Sequence, residues 1–159
     1  MPAAQSAPVI RQAVSADVPQ LHALARAAYQ KYVPRIGREP APMNRDFAAH
    51  VAAGQAVVIE RAGSIAGYMI AWTTPDAYLV DNLAVDPARQ GEGLGRTLLA
   101  HAAAEAKRLT LPALRLYTNA AMTENLALYC HIGFVETHRS VEKGYNRVHM
   151  LLDLSGNRP

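Results

Sequence analysis

The segment Val85-Asp86-Pro87-Ala88-Arg89-Gln90-Gly91-Glu92-Gly93-Leu94-Gly95-Arg96 constrains this chain more than any other. Three glycines alternate there, between an apolar stretch of strand character and the longest helical pattern. Glycine lets a backbone come close to a ligand and tolerates positive φ. The first turn of the helix that follows leaves its N–H groups without intrahelical acceptors, at the positive end of the helix dipole. Strand, glycine loop and helix N-terminus in that order make a cradle for pyrophosphate. Spacing excludes two common cradles. A P-loop has four residues between its glycines and then Gly-Lys followed by Ser or Thr, which this segment lacks. The dinucleotide fingerprint has a glycine where Arg96 stands and an acidic residue about twenty positions on, where Leu114-Arg115-Leu116-Tyr117 offers none.

The flanking sequence sets the fold class. Val9–Val14 reads as a short strand, and Ser15 as the cap of a helix that runs to about Tyr32 and stops before Pro34. Pro34–Pro42 reads as an irregular loop, and Asn44–Ala53 as a short helix stopped by Gly54. Gln55–Arg61 and Ile65–Thr73 form a hairpin around Ala62-Gly63-Ser64, and Tyr78–Val85 is a third strand. The long helix runs from Gly93 or Leu94 to Leu109, followed by a strand over Leu114–Thr118. Thr123 caps a helix over Glu124–Ile132, which ends at Gly133. Phe134–Arg139 and Val148–Leu154 are the last two strands. The order β-α-α-β-β-β-α-β-α-β-β predicts an α/β (mixed α+β) fold. The crossing around the long helix needs a parallel pair, and the hairpins need antiparallel ones. The expectation is a central mixed, mostly antiparallel sheet of about seven strands with helices on both faces. One domain spans residues 9–154, with a flexible N-terminus over 1–8 and a tail over 155–159.

Composition narrows the partners. A chain of 159 residues with 50% hydrophobic and 18% charged residues is globular. Its net charge is only +3, and its sole lysines are Lys31, Lys107 and Lys143. That balance argues against nucleic acid as partner and for an anionic small molecule, because arginine forks onto phosphate and carboxylate. The single cysteine, Cys130, allows no intrachain disulfide or cysteine zinc cluster and reads as a small buried thiol. His101 and His131 read as helix-surface residues, so no metal is expected. The longest apolar stretch, around Leu98–Ala104, is broken by His101 and is too short for a membrane span. The expectation is a cytoplasmic protein, monomeric or paired through an exposed edge strand.

Two blocks then carry a family resemblance. Gln90-Gly91-Glu92-Gly93-Leu94-Gly95 is similar to the Gln/Arg-x-x-Gly-x-Gly/Ala signature of the GNAT N-acetyltransferase superfamily. Asn125-Leu126-Ala127-Leu128-Tyr129-Cys130-His131-Ile132-Gly133-Phe134 resembles the family's Asn-x-x-Ala-x-x-Leu/Tyr-x-x-x-Gly-Phe segment. The order of elements agrees over Val9–Leu154. Arg35-Ile36-Gly37-Arg38-Glu39-Pro40-Ala41-Pro42-Met43 resembles a bacterial branch of the family.

The resemblance implies the GNAT fold, acetyl-CoA as acyl donor and an amine as acceptor. Acetyl-CoA would lie between two splayed strands, Tyr78–Val85 and Leu114–Thr118. A bulge near Leu83–Val85 would free the backbone of Leu83, Ala84 and Val85. Gln90, Gly91, Glu92, Gly93, Leu94, Gly95 and Arg96 would form the pyrophosphate loop, with charge from Arg89 and Arg96. Asn119, Asn125 and Tyr129 complete the cofactor set. Tyr129 is the candidate general acid for the departing thiolate. Asp81 is the candidate base, directly or through water, or the partner of the acceptor's ammonium. Alternation places it with Leu79 and Leu83 if no bulge intervenes. Tyr29, Tyr32, Met43 and Trp72 are candidates for the apolar acceptor wall, with Arg35 and Arg38 for an acceptor carboxylate; Arg147 and His149 alternate along the last strand, one face of which would line the acceptor pocket. A CoA-binding module without turnover is the competing reading.

Overall fold

Alternation of large apolar and polar residues turns the middle of the chain into strands, and the computed structural model describes them within residues 6–156. The expected flexible N-terminus and tail therefore lie partly outside the described residues. The elements are β1 (Val9–Gln12), α1 (Val18–Tyr29), α2 (Val33–Ile36), α3 (Phe47–Ala52), β2 (Ala56–Arg61), β3 (Ser64–Thr73) and β4 (Tyr78–Val85), then α4 (Leu94–Arg108), β5 (Ala113–Asn119), α5 (Thr123–Ile132), β6 (Val135–Glu142) and β7 (Tyr145–Asp153). They build one seven-stranded sheet in the order β1-β2-β3-β4-β5-β7-β6. Only β4 and β5 run parallel, as the crossing through α4 requires. Among the described residues no helix is long and apolar enough to cross a membrane.

Each face of the sheet has its own core. On one, Leu21 and Leu24 of α1 and Phe47 of α3 pack on Val58, Tyr68 and Ile70. On the other, Leu98 and Leu99 of α4 and Tyr129 of α5 pack on Met69, Val80, Leu114 and Val148. Fully burying such a side chain is worth about 1.5–3 kcal/mol. Alanines at Ala25, Ala28, Ala102 and Ala106 are buried where the two long helices meet the sheet.

Several local expectations are corrected. Pro34 does not end helical structure: it sits in the first turn of α2, where its missing N–H is no loss, and Gly37 at φ 86° closes the turn. A 3-10 turn at Ala41–Asn44 occupies the supposed loop, and α3 starts only at Phe47, with Asp46 accepting the Ala49 N–H at 3.0 Å. Ser15 does not cap α1. It opens a 3-10 turn over Ser15–Asp17, and no side chain caps α1; the Asp17 carboxylate reaches back, accepting the Val14 N–H at 2.8 Å while pairing with Arg11 at 2.8 Å. Thr123 is already helical, because the Met122 carbonyl takes the N–H groups of Asn125 and Leu126. Strands β6 and β7 extend to a tight turn at Lys143-Gly144, both at positive φ.

The decisive irregularity is in β4. Ile70 pairs with Asn82 and Ala71 with Val80, so Asp81 is an extra residue, a β-bulge. The bulge therefore lies at Asp81 and not at Leu83–Val85. It also shifts the alternation. Leu83 and Val85 face α4, each lying 3.9 Å from where a side chain on Gly95 would begin. Asp81 is freed from the expected face.

Candidate active site

β4 and β5 are paired only at Tyr78–Val80 against Leu114–Leu116, although both strands continue beyond. Past that point they diverge, opening a cleft at the carboxyl ends of the parallel pair, the usual ligand position in such sheets. Two cavities occupy the cleft and share Tyr29, Leu83, Asn125 and Tyr129 as walls.

The larger, of about 420 Å³, is lined by Leu83, Ala84, Val85, Arg89, Gln90, Gly91, Gly93, Leu94, Gly95 and Arg96. Helix α4 makes this wall chemically active. Its first i→i−4 bond runs from the Thr97 N–H to the Gly93 carbonyl, so Leu94, Gly95 and Arg96 present free N–H groups. Gly91 and Gly93 adopt φ of 89° and 79°, and no atom lies within 4 Å of where a Cβ would stand. The cradle is thus open to an anion, and a pyrophosphate fits its donor set. Glu92 points elsewhere: it pairs with Arg61 of β2 at 2.8 Å, while Arg89 reaches Ser64 at 3.1 Å. Together they pin the loop to the sheet.

The smaller cavity, of about 50 Å³, lies on the other side of Tyr129 and Leu83. Its wall is a closed polar triangle. Asp81 accepts from the Arg45 guanidinium at 2.9 Å and from the Tyr117 hydroxyl at 2.5 Å, while Arg45 also donates to the Tyr117 oxygen at 2.7 Å. The amide of Asn82 donates to the second Asp81 oxygen at 2.9 Å. Burial, reinforced by the Asp81 charge, pushes the Tyr117 hydroxyl up to about 12. Arg147 lies over the Tyr117 ring, 4.3 Å from its centre.

A strap covers this cavity. Pro40, Ala41 and Pro42 form its roof. The Tyr145 hydroxyl donates to the Glu39 carbonyl at 2.6 Å, and Arg38 stacks 3.5 Å above the Tyr145 ring while donating to the Lys143 carbonyl. The Glu39 carboxylate holds Arg26 at 2.8 Å and Asn44 at 3.1 Å.

Tyr129 stands between the cavities. Its ring packs edge-on against Phe134, at 5.9 Å between centres. Among the described residues its hydroxyl has no hydrogen-bond partner, and burial pushes its pKa well above the usual tyrosine value. It therefore holds its proton. Tyr29 donates to the Leu83 carbonyl at 2.7 Å, which fixes the divergent part of β4 to α1.

Among the acceptor-wall candidates, the structure brings Tyr29, Asp81 and Arg147 to the smaller cavity and does not bring the others. Tyr32 lines the larger one. Met43 is buried in the α1-side core. Trp72 stacks on His50 at 5.7 Å in a separate groove. Arg35 pairs with Glu124 at 2.8 Å. Asn119, expected at the cofactor, lines the smaller cavity and accepts the Ala121 N–H at 2.9 Å. Cys130 is exposed, not buried. Tyr117, Arg45, Asn82 and Tyr145 were not singled out from sequence. Strand alternation opposite Leu114 and Leu116 marks Tyr117; Arg45 stood in sequence only as one of a basic cluster, with nothing to tie it to Asp81.

Comparison with known proteins agrees with this geometry. Residues 52–136 match the acetyltransferase (GNAT) domain family. The Escherichia coli [ribosomal protein bS18]-alanine N-acetyltransferase is 36% identical over 74 residues, 46% of this chain and 50% of that protein, so the match spans half the relative's length. The crystal structure of the E. coli ribosomal-protein-S18-alanine N-acetyltransferase superposes with a TM-score of 0.74 at 23% identity, covering 96% of this chain and 99% of that one. PaiA N-acetyltransferase of Thermoplasma acidophilum, in complex with coenzyme A, gives 0.77 at 15% identity over 93% and 99% of the two chains. YncA of Salmonella typhimurium, with acetyl-CoA, gives 0.69 at 22% identity over 97% and 98%.

Proposed function

The chain belongs to the acetyltransferase (GNAT) domain family, and on that premise we propose that it is an acetyl-CoA-dependent N-acetyltransferase, moving an acetyl group directly to a primary amine of a small molecule or protein. The observation that carries this reading is the cleft itself. A helix N-terminus with free N–H groups closes one end, and a protonated, unpartnered tyrosine stands at the junction with a second cavity.

The roles follow from the walls. The N–H groups of Gly91, Gly93, Leu94, Gly95 and Arg96 bind the pyrophosphate, and Arg89 and Arg96 add charge. Leu83 and Val85 offer backbone groups along the cleft, while those of Ala84 turn to β3, and Asn125 offers a side-chain amide. Bound acetyl-CoA supplies an activated thioester carbonyl. The chain's main contribution is alignment, which supplies about 7–11 kcal/mol in well-oriented systems. A nitrogen–carbon bond forms and a carbon–sulfur bond breaks. Tyr129 gives its hydroxyl proton to the departing sulfur. One amine proton passes to solvent through water ordered at the Asp81–Tyr117 pair, and the Tyr129 oxygen regains a proton from solvent before the next turnover. Asp81 already accepts three hydrogen bonds, which suits it to ordering that water more than to direct abstraction.

That engagement of Asp81 also favours a second reading, a CoA-binding module without turnover. Calorimetry and thermal shift with acetyl-CoA, CoA, NAD and ATP come first. Acetyl-CoA at one hundred times its Kd is expected to stabilise the fold by about 2.7 kcal/mol, with no shift from NAD or ATP. No shift with either CoA species sinks both readings. Thiol release is then measured with free amines and with a peptide beginning in alanine, after the relative's bS18 acceptor. Tight binding with no turnover on any amine selects the module.

A further inference from the structure

We infer that the acceptor is a small amino carboxylate, its carboxylate held by Arg147 and its amine presented at the Leu83–Tyr129 junction. This rests on the acetyltransferase reading and narrows its substrate.

Size is the first argument. The smaller cavity measures about 50 Å³, and one water needs about 10–15 Å³ on that scale. It admits a few heavy atoms, not successive residues of a peptide. Its roof is tied down: Tyr145 holds the Glu39 carbonyl at 2.6 Å, and Arg38 stacks on Tyr145.

Charge is the second. Three ionised side chains line the cavity: Arg45, Asp81 and Arg147. Arg45 and Asp81 face each other at 2.9 Å and cancel. Arg147 remains. One of its terminal nitrogens donates to Glu142 at 2.9 Å, and Glu142 is half exposed. The guanidinium has five donors in a planar fork, so most are left for a carboxylate, which it matches bidentately. Stacking on the Tyr117 ring holds that plane in place. Arg35 and Arg38, the arginines that sequence offered for a carboxylate, do not line this cavity.

The rest of the lining, including Val80, Leu116 and Met122, suits a short apolar side chain.

The test is steady-state thiol release with acetyl-CoA, after calorimetry has established its binding. Acceptors are glycine, L-alanine, β-alanine and L-2-aminobutyrate, their carboxamides, an alanine-initiated hexapeptide and spermidine. At least one free amino acid is expected to exceed its own amide, the peptide and spermidine by about tenfold or more in kcat/KM, the scale of a charge-assisted hydrogen bond. Arg147→Gln is expected to raise KM for that amino acid about tenfold and to abolish its advantage over the amide, with kcat changed far less. Arg147→Lys keeps the charge, loses the fork and falls between, and it serves if the glutamine variant does not fold. Equal or better use of the peptide or spermidine overturns the assignment. So does an undiminished preference in Arg147→Gln, or no transfer to any free amino acid while acetyl-CoA binds. Failure to bind acetyl-CoA appears in the calorimetry and overturns the parent reading as well.

Discussion

Tyr129 illustrates what a single residue's surroundings decide. Burial disfavours the phenolate, so the hydroxyl keeps its proton until pH rises through a value well above 10. Tyr129→Phe keeps the ring that packs on Phe134 and removes only the acid. Calorimetry of that variant should give an unchanged acetyl-CoA affinity, while kcat falls about a hundredfold. The wild-type pH–rate profile should show no alkaline limb below pH 10 that this substitution removes; such a limb would take the acid role from Tyr129. The position was legible in the Asn125–Phe134 block. Arg45 was not, because it meets Asp81 thirty-six residues away through the fold. The exposure of Cys130, beside Tyr129, was missed for a related reason: the α5 stripe is weak, and sequence cannot say which neighbour faces inward. Maleimide blocking of this thiol before thiol-release assays removes its background.

At the scale of elements, the sheet's pairing places the chemistry. Strand and helix order were readable from periodicity and turn residues, and the parallel pair from the crossing through α4. The bulge at Asp81 was not, since a bulge belongs to the register of two strands and one strand's alternation cannot show it. Without it, Leu83 and Val85 would turn away from α4 and the glycine loop. Close approach of β3 to β4 keeps that register. A Cβ on Gly67 would stand 2.6 Å from the Ala84 carbonyl and 3.2 Å from Ile59 Cγ2. The first contact is backbone and cannot swing aside. Gly67→Ala should therefore cost about 1–3 kcal/mol in urea denaturation. Acetyl-CoA affinity should fall with it, because Gly67 pairs with Val85 in the cleft wall. A melt equal to wild type would mean that the strands yield more readily than this contact allows.

Over the whole molecule, segments far apart in sequence converge on one small cavity. The strap from Arg38 to Arg45 precedes the sheet's centre, and the turn that clasps it lies about a hundred residues later. Sequence marked the Arg35–Met43 stretch as an irregular loop and by resemblance, and its purpose emerges from Tyr145. Tyr145→Phe leaves the ring under Arg38 and frees the Glu39 carbonyl. The fold should lose about 1 kcal/mol. Hydrogen exchange should quicken in the Gly37–Asn44 amides, and the acceptor KM should rise while acetyl-CoA binding stays unchanged. Unaltered exchange there would show that Arg38 alone holds the strap.

The three-residue ladder between β4 and β5 has a mechanical consequence. By strand order there is one sheet, but in stiffness there are two plates, β1–β4 and β5–β7, joined along a short seam. The seams on either side carry ladders of seven registered pairs each, so bending concentrates on this one. The compliant axis of the molecule thus runs through the base of the cleft. A molecule wedged there stiffens the whole sheet from its weakest line, so occupancy should be felt at both outer edges, far from any atom it touches.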